Sequence, residues 1–340
     1  MQSIFFISIG TGVWKDPASA KETVVTAMSS EVGEAANLAK ARLSSELKAT
    51  DARRLAVILG DVTYFRINAD FRNITPSVYM SLDTTDIDTI EAVKRRTAEQ
   101  LRATVAQLAV ELQRAVKENA FIVLSYDGGG MRGVVPAVIT QMLEAKLKVP
   151  LSRIADLIVG TSIGGAGGLA VALSTNLHEG PTKALELLEI LRQCFAAGRI
   201  NKRGRIFKAT TSGDYDIIPL VYGVDETPGP LLRSFGLSRG TKLSDLPPQT
   251  ASAGVPARPR VVLITANQPM ERGQEEITGY APFLLTNFEM PELLEDSGVW
   301  CGSSAWPVRE LDSNPGRCKQ RAALSLTSVA CQGAHARFSL

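Results

Sequence analysis

Short apolar runs alternate with helical spacing along most of this 340-residue chain. Apolar runs of strand length fall at 4–9, 64–68, 121–125, 155–160 and 260–266. Apolar residues at helical spacing fall at 30–50, 88–116, 133–148, 163–174 and 181–195. Strands that alternate with helices are typical of α/β domains, so we expect a three-layer α/β/α fold with a mainly parallel central sheet. The strands at 121–125 and 155–160 should be neighbours in that sheet.

The clearest helix begins near Asp88, because Asp88 and Glu91 form a D-x-x-E start signal. Apolar side chains then recur at steps of three or four residues, or after two such steps, at Ile90, Val93, Leu101, Val105, Leu108, Leu112 and Val116. Such a stripe predicts packing against a core. No other part of residues 1–120 offers an obvious partner, so we expect this helix and the strand at 4–9 to join the sheet of the later half.

Two glycine-rich turns each follow an apolar run and open into a helical one. The first turn is Asp127-Gly128-Gly129-Gly130-Met131-Arg132-Gly133. The second is Gly160-Thr161-Ser162-Ile163-Gly164, a G-x-S-x-G pattern that is typical of a nucleophilic serine on a sharp strand-to-helix turn. The N-terminal N–H groups of the helix that follows can stabilise negative charge beside the serine.

The first turn has a second interpretation, because Gly128, Gly130 and Gly133 also fit the G-x-G-x-x-G pattern of dinucleotide-binding proteins. That interpretation needs an acidic residue at the end of the next strand, whereas the next strand leads into Ser162. A glycine triplet also offers the unblocked backbone N–H donors that an oxyanion hole needs. The two turns together therefore favour acyl transfer over nucleotide binding.

DGGGMRG followed by GTSIGG resembles the patatin-like phospholipase family, which carries both motifs in this order. The resemblance implies a lipid acyl hydrolase of the phospholipase A or esterase type, with a Ser–Asp dyad, no histidine, no metal and no cofactor. It implies that Ser162 is the nucleophile, that Gly129, Gly130 and the backbone N–H of Met131 form the oxyanion hole, and that Arg132 lies near the lipid phosphate. The expected partner is a phospholipid or another acyl lipid, with peripheral membrane contact.

The first third of the chain resembles the opposite end of the same family's domain. SIGTG at 8–12, YFRIN at 64–68 and the long amphipathic helix are similar to the segments that close a patatin domain. We therefore divide the chain into 1–120, similar to the C-terminal end of a patatin domain, 121–307, similar to its nucleophile part, and an atypical tail at 308–340. A circularly permuted domain and a fragment of two tandem domains both fit this order.

The general base cannot be assigned from the sequence. The family's aspartate lies in a D-G-G or D-G-A motif, and the single Asp-Gly pair of this chain, Asp127-Gly128, belongs to the first turn. We interpret Asp296 and Asp312 as surface carboxylates. The absence of the motif leaves a catalytically impaired lipid-binding relative, or a gene-model fragment, as an alternative. A Ser–His–Asp α/β-hydrolase is a second alternative, and it would have to use His178 or His335.

Composition indicates the binding partners and the cellular compartment of the protein. A net charge of +2 does not indicate nucleic-acid binding, and four cysteines without metal-ligand spacing are typical of free thiols in a reducing compartment. No apolar run reaches the roughly 18 residues of a membrane span, and the first residues lack the basic start of a secretory signal. We expect a cytoplasmic protein that contacts membranes at their surface. The five basic residues between Arg199 and Lys208 indicate either a solvated loop or a patch that faces anionic lipid headgroups.

Overall fold

The computed structural model describes residues 3–14, 45–72, 80–202, 233–238, 241, 243–248, 258–267, 281–288 and 300–302. The strands of this part of the chain are β1 (Ile4–Ile9), β2 (Val62–Ile67), β3 (Phe121–Tyr126), β4 (Leu157–Thr161), β5 (Arg260–Asn267), β6 (Ala281–Thr286) and β7 (Trp300–Gly302). Its α-helices are α1 (Ser45–Leu59), α2 (Ile87–Lys117), α3 (Val134–Leu147), α4 (Ile163–Leu173) and α5 (Glu179–Lys202). Short 3₁₀ turns lie at Gly130–Gly133, Leu151–Arg153 and Leu243–Asp245.

The strands form one seven-stranded sheet in the order β2-β1-β3-β4-β5-β6-β7. Only the β5–β6 pair of this sheet is antiparallel. The mainly parallel α/β fold is therefore confirmed. β3 and β4 are neighbours, with Tyr126 opposite Gly160. Because both strands run in the same direction, the turns that follow them emerge at the same edge of the sheet.

The first third of the chain contributes directly to this sheet. β1 lies between β2 and β3, and its residues Ser8 and Ile9 are paired with Ser125 and Tyr126. The expectation that the strand at 4–9 and the long helix join the nucleophile half is thus confirmed, because β1 pairs with β3 and α2 packs on α3. Both explanations of the segment order, a permuted domain and a junction of two tandem domains, stay predictions.

The helices cover the sheet in two layers. α2 packs on α3, α3 on α5, and α5 on α4, while α1 packs on β2. The connection from β1 through α1 to β2 runs across the sheet in the direction opposite to the connections through α2, α3 and α4. Since parallel crossovers are right-handed, this reversal places α1 on the other face of the sheet.

In helix α2 the apolar periodicity predicted most of the buried residues correctly and one of them wrongly. The predicted stripe is buried from Ile90 to Leu112, and Thr97 fills its gap by donating its hydroxyl to the Val93 carbonyl at 2.8 Å. Val116 is wrong as a stripe residue, because it is 43% exposed and Ala115 is buried instead. Two successive steps of four residues turn the side-chain direction by about 80° on a helix of 3.6 residues per turn. That rotation carries Val116 off the packed face.

Several boundaries differ from the sequence prediction. α2 begins at Ile87, one residue before Asp88, and its N-cap is Asp86 rather than Asp88, because the Asp86 carboxylate accepts a hydrogen bond from the Thr89 N–H at 2.9 Å. α5 extends beyond the predicted 181–195 at both ends, from Glu179 to Lys202. It therefore contains Arg199 and Lys202, the first two of the five basic residues between Arg199 and Lys208. The remaining basic residues, at 203–208, lie outside the described residues, as do most of the predicted helix at 30–50 and all of the tail at 308–340.

Candidate active site

Ser162 lies at the turn between β4 and α4, in a backbone conformation that side-chain-bearing residues rarely adopt. Its φ is 56° and its ψ is −129°, and the residue is 3% exposed. Such a conformation costs on the order of 1–3 kcal/mol and persists only where surrounding contacts enforce it. Strain of this kind at a serine between a strand and a helix is the geometry expected of a G-x-S-x-G nucleophile.

The glycines of this turn are required by close backbone packing. A Cβ atom on Gly160 would lie 2.5 Å from the carbonyl oxygen of Gly164. A Cβ atom on Gly164 would lie 2.5 Å from the carbonyl oxygens of both Tyr126 and Asp127. These contacts involve backbone atoms that cannot move aside independently. The first turn of α4 therefore packs directly on the end of β3.

The segment 127–133, called the glycine loop below, lies against the serine. A Cβ atom on Gly128 would be 3.0 Å from the Ser162 Cβ and 2.8 Å from the Thr161 carbonyl oxygen. A Cβ atom on Gly129 would be 3.0 Å from the Thr11 hydroxyl, and that hydroxyl donates to the Gly128 carbonyl at 3.3 Å. The structure thus brings the two predicted motifs together, with the SIGTG turn of the first third packed on the other side of the loop.

The three predicted oxyanion donors are not in equivalent positions. Within the described residues, no hydrogen bond uses the backbone N–H of Gly129 or Gly130. The N–H of Met131, by contrast, donates to the Leu82 carbonyl at 2.8 Å. Gly130 has a φ of 55°, and a Cβ atom on it would collide with the same Leu82 oxygen. In this conformation the N–H of Met131 is occupied, whereas those of Gly129 and Gly130 have no partner among the described residues.

Leu82 belongs to residues 80–85, called the covering turn below, which the sequence analysis did not connect with the site. The turn is held by its own polar side chains, since the Thr84 hydroxyl donates to the Ser81 carbonyl at 3.1 Å and the Ser81 hydroxyl donates to Asp83 at 2.9 Å. The Met80 carbonyl accepts a hydrogen bond from Arg132 Nε at 2.7 Å. Nothing in the local pattern of MSLDTT indicates that its carbonyl groups face a glycine loop 50 residues later.

Arg132, which the resemblance places near a lipid phosphate, is held on both sides. Besides its bond to Met80, its guanidinium carbon lies 4.9 Å from the centre of the Trp14 ring. Trp14 in turn stacks on Phe71, with ring centres 4.3 Å apart. A cation on an aromatic face keeps its charge and has a fixed direction. The residue can still attract an anionic headgroup, and this role stays a prediction.

Asp127 begins the glycine loop and forms an ion pair that the sequence analysis missed. Its carboxylate accepts a hydrogen bond from Arg66 Nη2 at 2.7 Å. A second guanidinium nitrogen, Nη1, donates to the Ser8 hydroxyl at 2.8 Å. The available signal was an arginine between Phe65 and Ile67 in the predicted strand at 64–68. Its side chain is 6% exposed, and a buried charge requires a partner.

The histidine required by the triad alternative is not beside Ser162 in the described structure. His178 follows the end of α4, a helix of 11 residues that is about 16 Å long. Its Nδ1 lies 3.7 Å from the Glu144 carboxylate, and Glu144 also accepts the His178 backbone N–H at 2.7 Å. Burial raises the pKa of Glu144 above its ordinary 4.5. His335, Asp296 and Asp312 lie outside the described residues.

The described ranges contain no group of three or more His, Cys, Asp or Glu side chains placed to hold a metal ion. No helix there has both the length and the apolar character that crossing a bilayer requires.

Comparison with known proteins gives a partial match. Over 119 residues the chain is 33% identical to Patatin-B1 and to Patatin-15 of Solanum tuberosum, and over 107 residues it is 34% identical to Patatin-07 of the same plant. These alignments cover 32% or 29% of this chain, and only 30% or 27% of the length of the relatives. No family profile and no solved structure matches the chain. Over about a third of its length, the chain is patatin-like.

Proposed function

We propose that this protein is a patatin-like lipid acyl hydrolase in which Ser162 attacks the ester carbonyl and the N–H groups of Gly129 and Gly130 bind the resulting oxyanion. The observation that carries the proposal is the packing of the glycine loop on the strained serine. A Cβ atom placed on Gly128 would lie only 3.0 Å from the Ser162 Cβ. The similarity to patatins supports an acyl lipid as the substrate class. Cytoplasmic location and contact with the membrane surface stay predictions.

The proposed reaction has two half-reactions. The Ser162 hydroxyl oxygen bonds to the acyl carbon, and the carbonyl electrons move onto the oxygen that faces Gly129 and Gly130. The N-terminus of α4 adds positive potential at the same point. Collapse of this intermediate breaks the bond to the alcohol and leaves the acyl group on the serine. Water then attacks the acyl carbon, which releases the fatty acid and restores the hydroxyl group.

Each half-reaction needs a group that accepts a proton and then returns it, and no residue of this chain is assigned to that role. The resemblance implies an aspartate. A serine without its base is a weak nucleophile. Oxyanion donors and substrate binding alone leave about 10³-fold acceleration over water in proteases that lack their triad. We therefore expect slow turnover of short activated esters and little turnover of phospholipids.

The test uses the purified chain with p-nitrophenyl butyrate and, separately, with a fluorophosphonate that reacts with nucleophilic serines. We expect slow ester turnover and a phosphonate adduct that mass spectrometry locates on Ser162. Ser162→Ala should remove both. Ser152→Ala is a matched control, because Ser152 is equally buried but donates its hydroxyl to the Ser174 carbonyl at 2.7 Å. Unchanged turnover in Ser162→Ala would contradict the proposal.

The missing base has its own test. Grafting the family's Asp-bearing segment after Pro307 should raise ester turnover, and Ser162→Ala should then remove the gain. Rapid phospholipid hydrolysis by the chain as it stands, lost on replacing Asp296 or Asp312 by Asn, would instead identify one of those residues as the base. The interpretation of both as surface carboxylates would then be wrong.

A catalytically impaired lipid-binding protein is the second candidate, and one observation favours it. The Leu82 carbonyl occupies the Met131 N–H, which is a predicted oxyanion donor. This candidate predicts that vesicles containing anionic phospholipid bind the chain, while ester turnover stays at the background rate and the phosphonate does not label Ser162. Labelling of Ser162 together with turnover above the Ser162→Ala background would exclude it.

A further inference from the structure

The buried side chain of Arg66 connects the first third of the chain to the glycine loop. Arg66 lies on β2, which pairs with β1, and β1 pairs with β3, so its guanidinium reaches past one whole strand to Asp127. The Arg66 side chain is 6% exposed and that of Asp127 is 22% exposed. Resting on the function proposed above, we propose that Arg66 is a positioning residue that sets the distance between the oxyanion donors and Ser162.

The position of Asp127 determines where the loop lies. Its backbone N–H donates to the Ile9 carbonyl at 3.0 Å, and its carbonyl oxygen is one of the two oxygens that exclude a Cβ from Gly164. The next residue, Gly128, packs on Ser162 itself. Any shift of Asp127 therefore moves the loop relative to the serine. A misplacement of about 1 Å in a reacting geometry lowers rates by about 100-fold.

The geometry of the pair favours arginine over any other cation. One guanidinium nitrogen donates to Asp127 at 2.7 Å while another donates to Ser8 at 2.8 Å, so the group is fixed at two points. A lysine ammonium at the end of a flexible stem lacks this planar fork. Removal of Arg66 leaves a partly buried carboxylate without this cation, and the carboxylate then gains by turning toward water. The glycine loop moves with it.

The experiment compares Arg66→Met and Arg66→Lys with Arg72→Met as a matched control. Arg72 lies shortly after the same strand and pairs with Asp70, but those side chains are 55% and 36% exposed and lie outside the proposed site. Two quantities are measured in each variant. The first is the rate constant for phosphonate labelling of Ser162, and the second is hydrogen exchange in a peptide that covers 127–133.

For Arg66→Met we expect labelling to slow by about 100-fold and exchange at 127–133 to become faster, while exchange in α3 is unchanged. Arg72→Met should match the wild type in both measurements. If Arg66 acts through Asp127, the double variant Arg66→Met/Asp127→Asn should be no slower than the slower single variant. A purely structural role would instead lower the melting temperature and the fraction of labelled protein, without changing the rate constant of the folded fraction.

Unchanged exchange at 127–133 in Arg66→Met would overturn the positioning role, and so would labelling at the wild-type rate. If Arg66→Met does not fold, the same measurements on Arg66→Lys test the positioning role. Lysine keeps the charge, so the melting temperature should be unchanged while hydrogen exchange at 127–133 becomes faster. Absence of Ser162 labelling in the wild type would refute the proposed function and with it the catalytic part of this inference. Hydrogen exchange would then still decide whether Arg66 holds the loop.

Discussion

The two ends of α4 bury polar groups to a similar depth but satisfy them differently. At the C-terminal end, Glu144 is fully buried and accepts the backbone N–H groups of Leu151 and His178 at 2.9 and 2.7 Å. At the N-terminal end, Ser162 faces a loop whose Gly129 and Gly130 N–H groups have no hydrogen-bond partner among the described residues. We call the group of Glu144, Ser152, Ser174 and His178 the polar junction.

The N-terminal end of α4 is arranged as a binding site, whereas its C-terminal end is arranged as a structural support. The N–H groups of Gly129 and Gly130 belong to half-buried residues beside a strained serine, so they can donate to a ligand. Among the described residues, the buried side-chain atom without a hydrogen-bond partner is His178 Nδ1 of the polar junction, which lies 3.7 Å from the Glu144 carboxylate. In the polar junction the Ser174 hydroxyl donates to the Val171 carbonyl at 2.7 Å, and the Ser174 carbonyl accepts from Ser152. Changes at the N-terminal end of α4 should therefore alter reactivity, whereas changes at the polar junction should alter stability.

The largest effect is expected from Gly164→Ala. Its new methyl group would lie 2.5 Å from two backbone carbonyl oxygens at the end of β3, so the helix must move away from the glycine loop. We expect ester turnover to fall by at least about 100-fold and the free energy of unfolding to fall by about 1–3 kcal/mol. Stopped-assay kinetics and urea denaturation measure the two quantities.

Gly167→Ala is the control on the same helix. A Cβ atom there would meet only the Ala184 Cβ at 3.8 Å, which is an ordinary contact. Replacing glycine by alanine inside a helix stabilises by about 0.5–1 kcal/mol, so this variant should be active and slightly more stable. If Gly164→Ala behaves like Gly167→Ala, the close packing of α4 on β3 is not required for the site.

The second prediction concerns Glu144→Ala in the polar junction. The change leaves the buried N–H of Leu151 and the partly buried N–H of His178 without this acceptor, and each unsatisfied donor costs about 1–3 kcal/mol. We expect the free energy of unfolding to fall by about 3 kcal/mol, while the rate constant for phosphonate labelling of Ser162 in the folded protein is unchanged. A large change in that rate constant would show that the two ends of α4 are coupled.

The fold was largely predictable because its signals are local. Apolar runs identified β1 and β3 to within a residue, and helical spacing identified most of α2. The G-x-S-x-G pattern gave the position of the strained serine, because the turn requires glycine two residues before and two residues after the serine. The neighbouring positions of β3 and β4 followed from the short crossover between them.

The partners of the glycine loop were not predictable in the same way. Thr11 lies beside the loop because β1 pairs with β3, Arg66 reaches the loop from β2 across β1, and Leu82 belongs to the covering turn. Local sequence patterns do not specify such long-range contacts. The occupied N–H of Met131 has the same cause, since its acceptor is a backbone carbonyl that any residue could supply. Local patterns therefore predicted the reactive residue but not the groups that position its surroundings.

The third prediction uses pH to test the polar junction. Burial raises the pKa of Glu144 above 4.5, so the folded chain binds its proton more tightly than the unfolded chain does. The resulting stabilisation is fully present below the unfolded value of 4.5 and is lost as pH rises through the folded value. The free energy of unfolding of the wild type, relative to Glu144→Gln, should therefore fall as pH increases above about 4.5. A constant or rising difference would contradict the assigned direction.

The smallest effect is expected from Glu189→Gln on the surface of α5. Arg192 forms an ion pair with Glu189 and lowers the pKa of that carboxyl to about 2, and Arg192 also donates to the Thr85 carbonyl of the covering turn at 3.5 Å. Because the folded pKa is lowered, the stabilisation is present above 4.5 and is lost as pH falls toward 2. The Glu189 side chain is 49% exposed, so solvent screens the pair and we expect a loss of less than about 0.5 kcal/mol near neutral pH.

Urea denaturation of the wild type and Glu189→Gln at several pH values measures this difference, and phosphonate labelling measures any effect on Ser162. The labelling rate should be unchanged, because the covering turn is also held through Leu82 and Met80, by bonds of 2.8 and 2.7 Å to Met131 and Arg132. Faster labelling in Glu189→Gln would mean that the weak link through Arg192 controls the covering turn. The Leu82 carbonyl would then block the Met131 N–H reversibly, and reactivity at the N-terminal end of α4 would depend on the surface ion pair of Glu189 and Arg192, which we expect to affect stability alone.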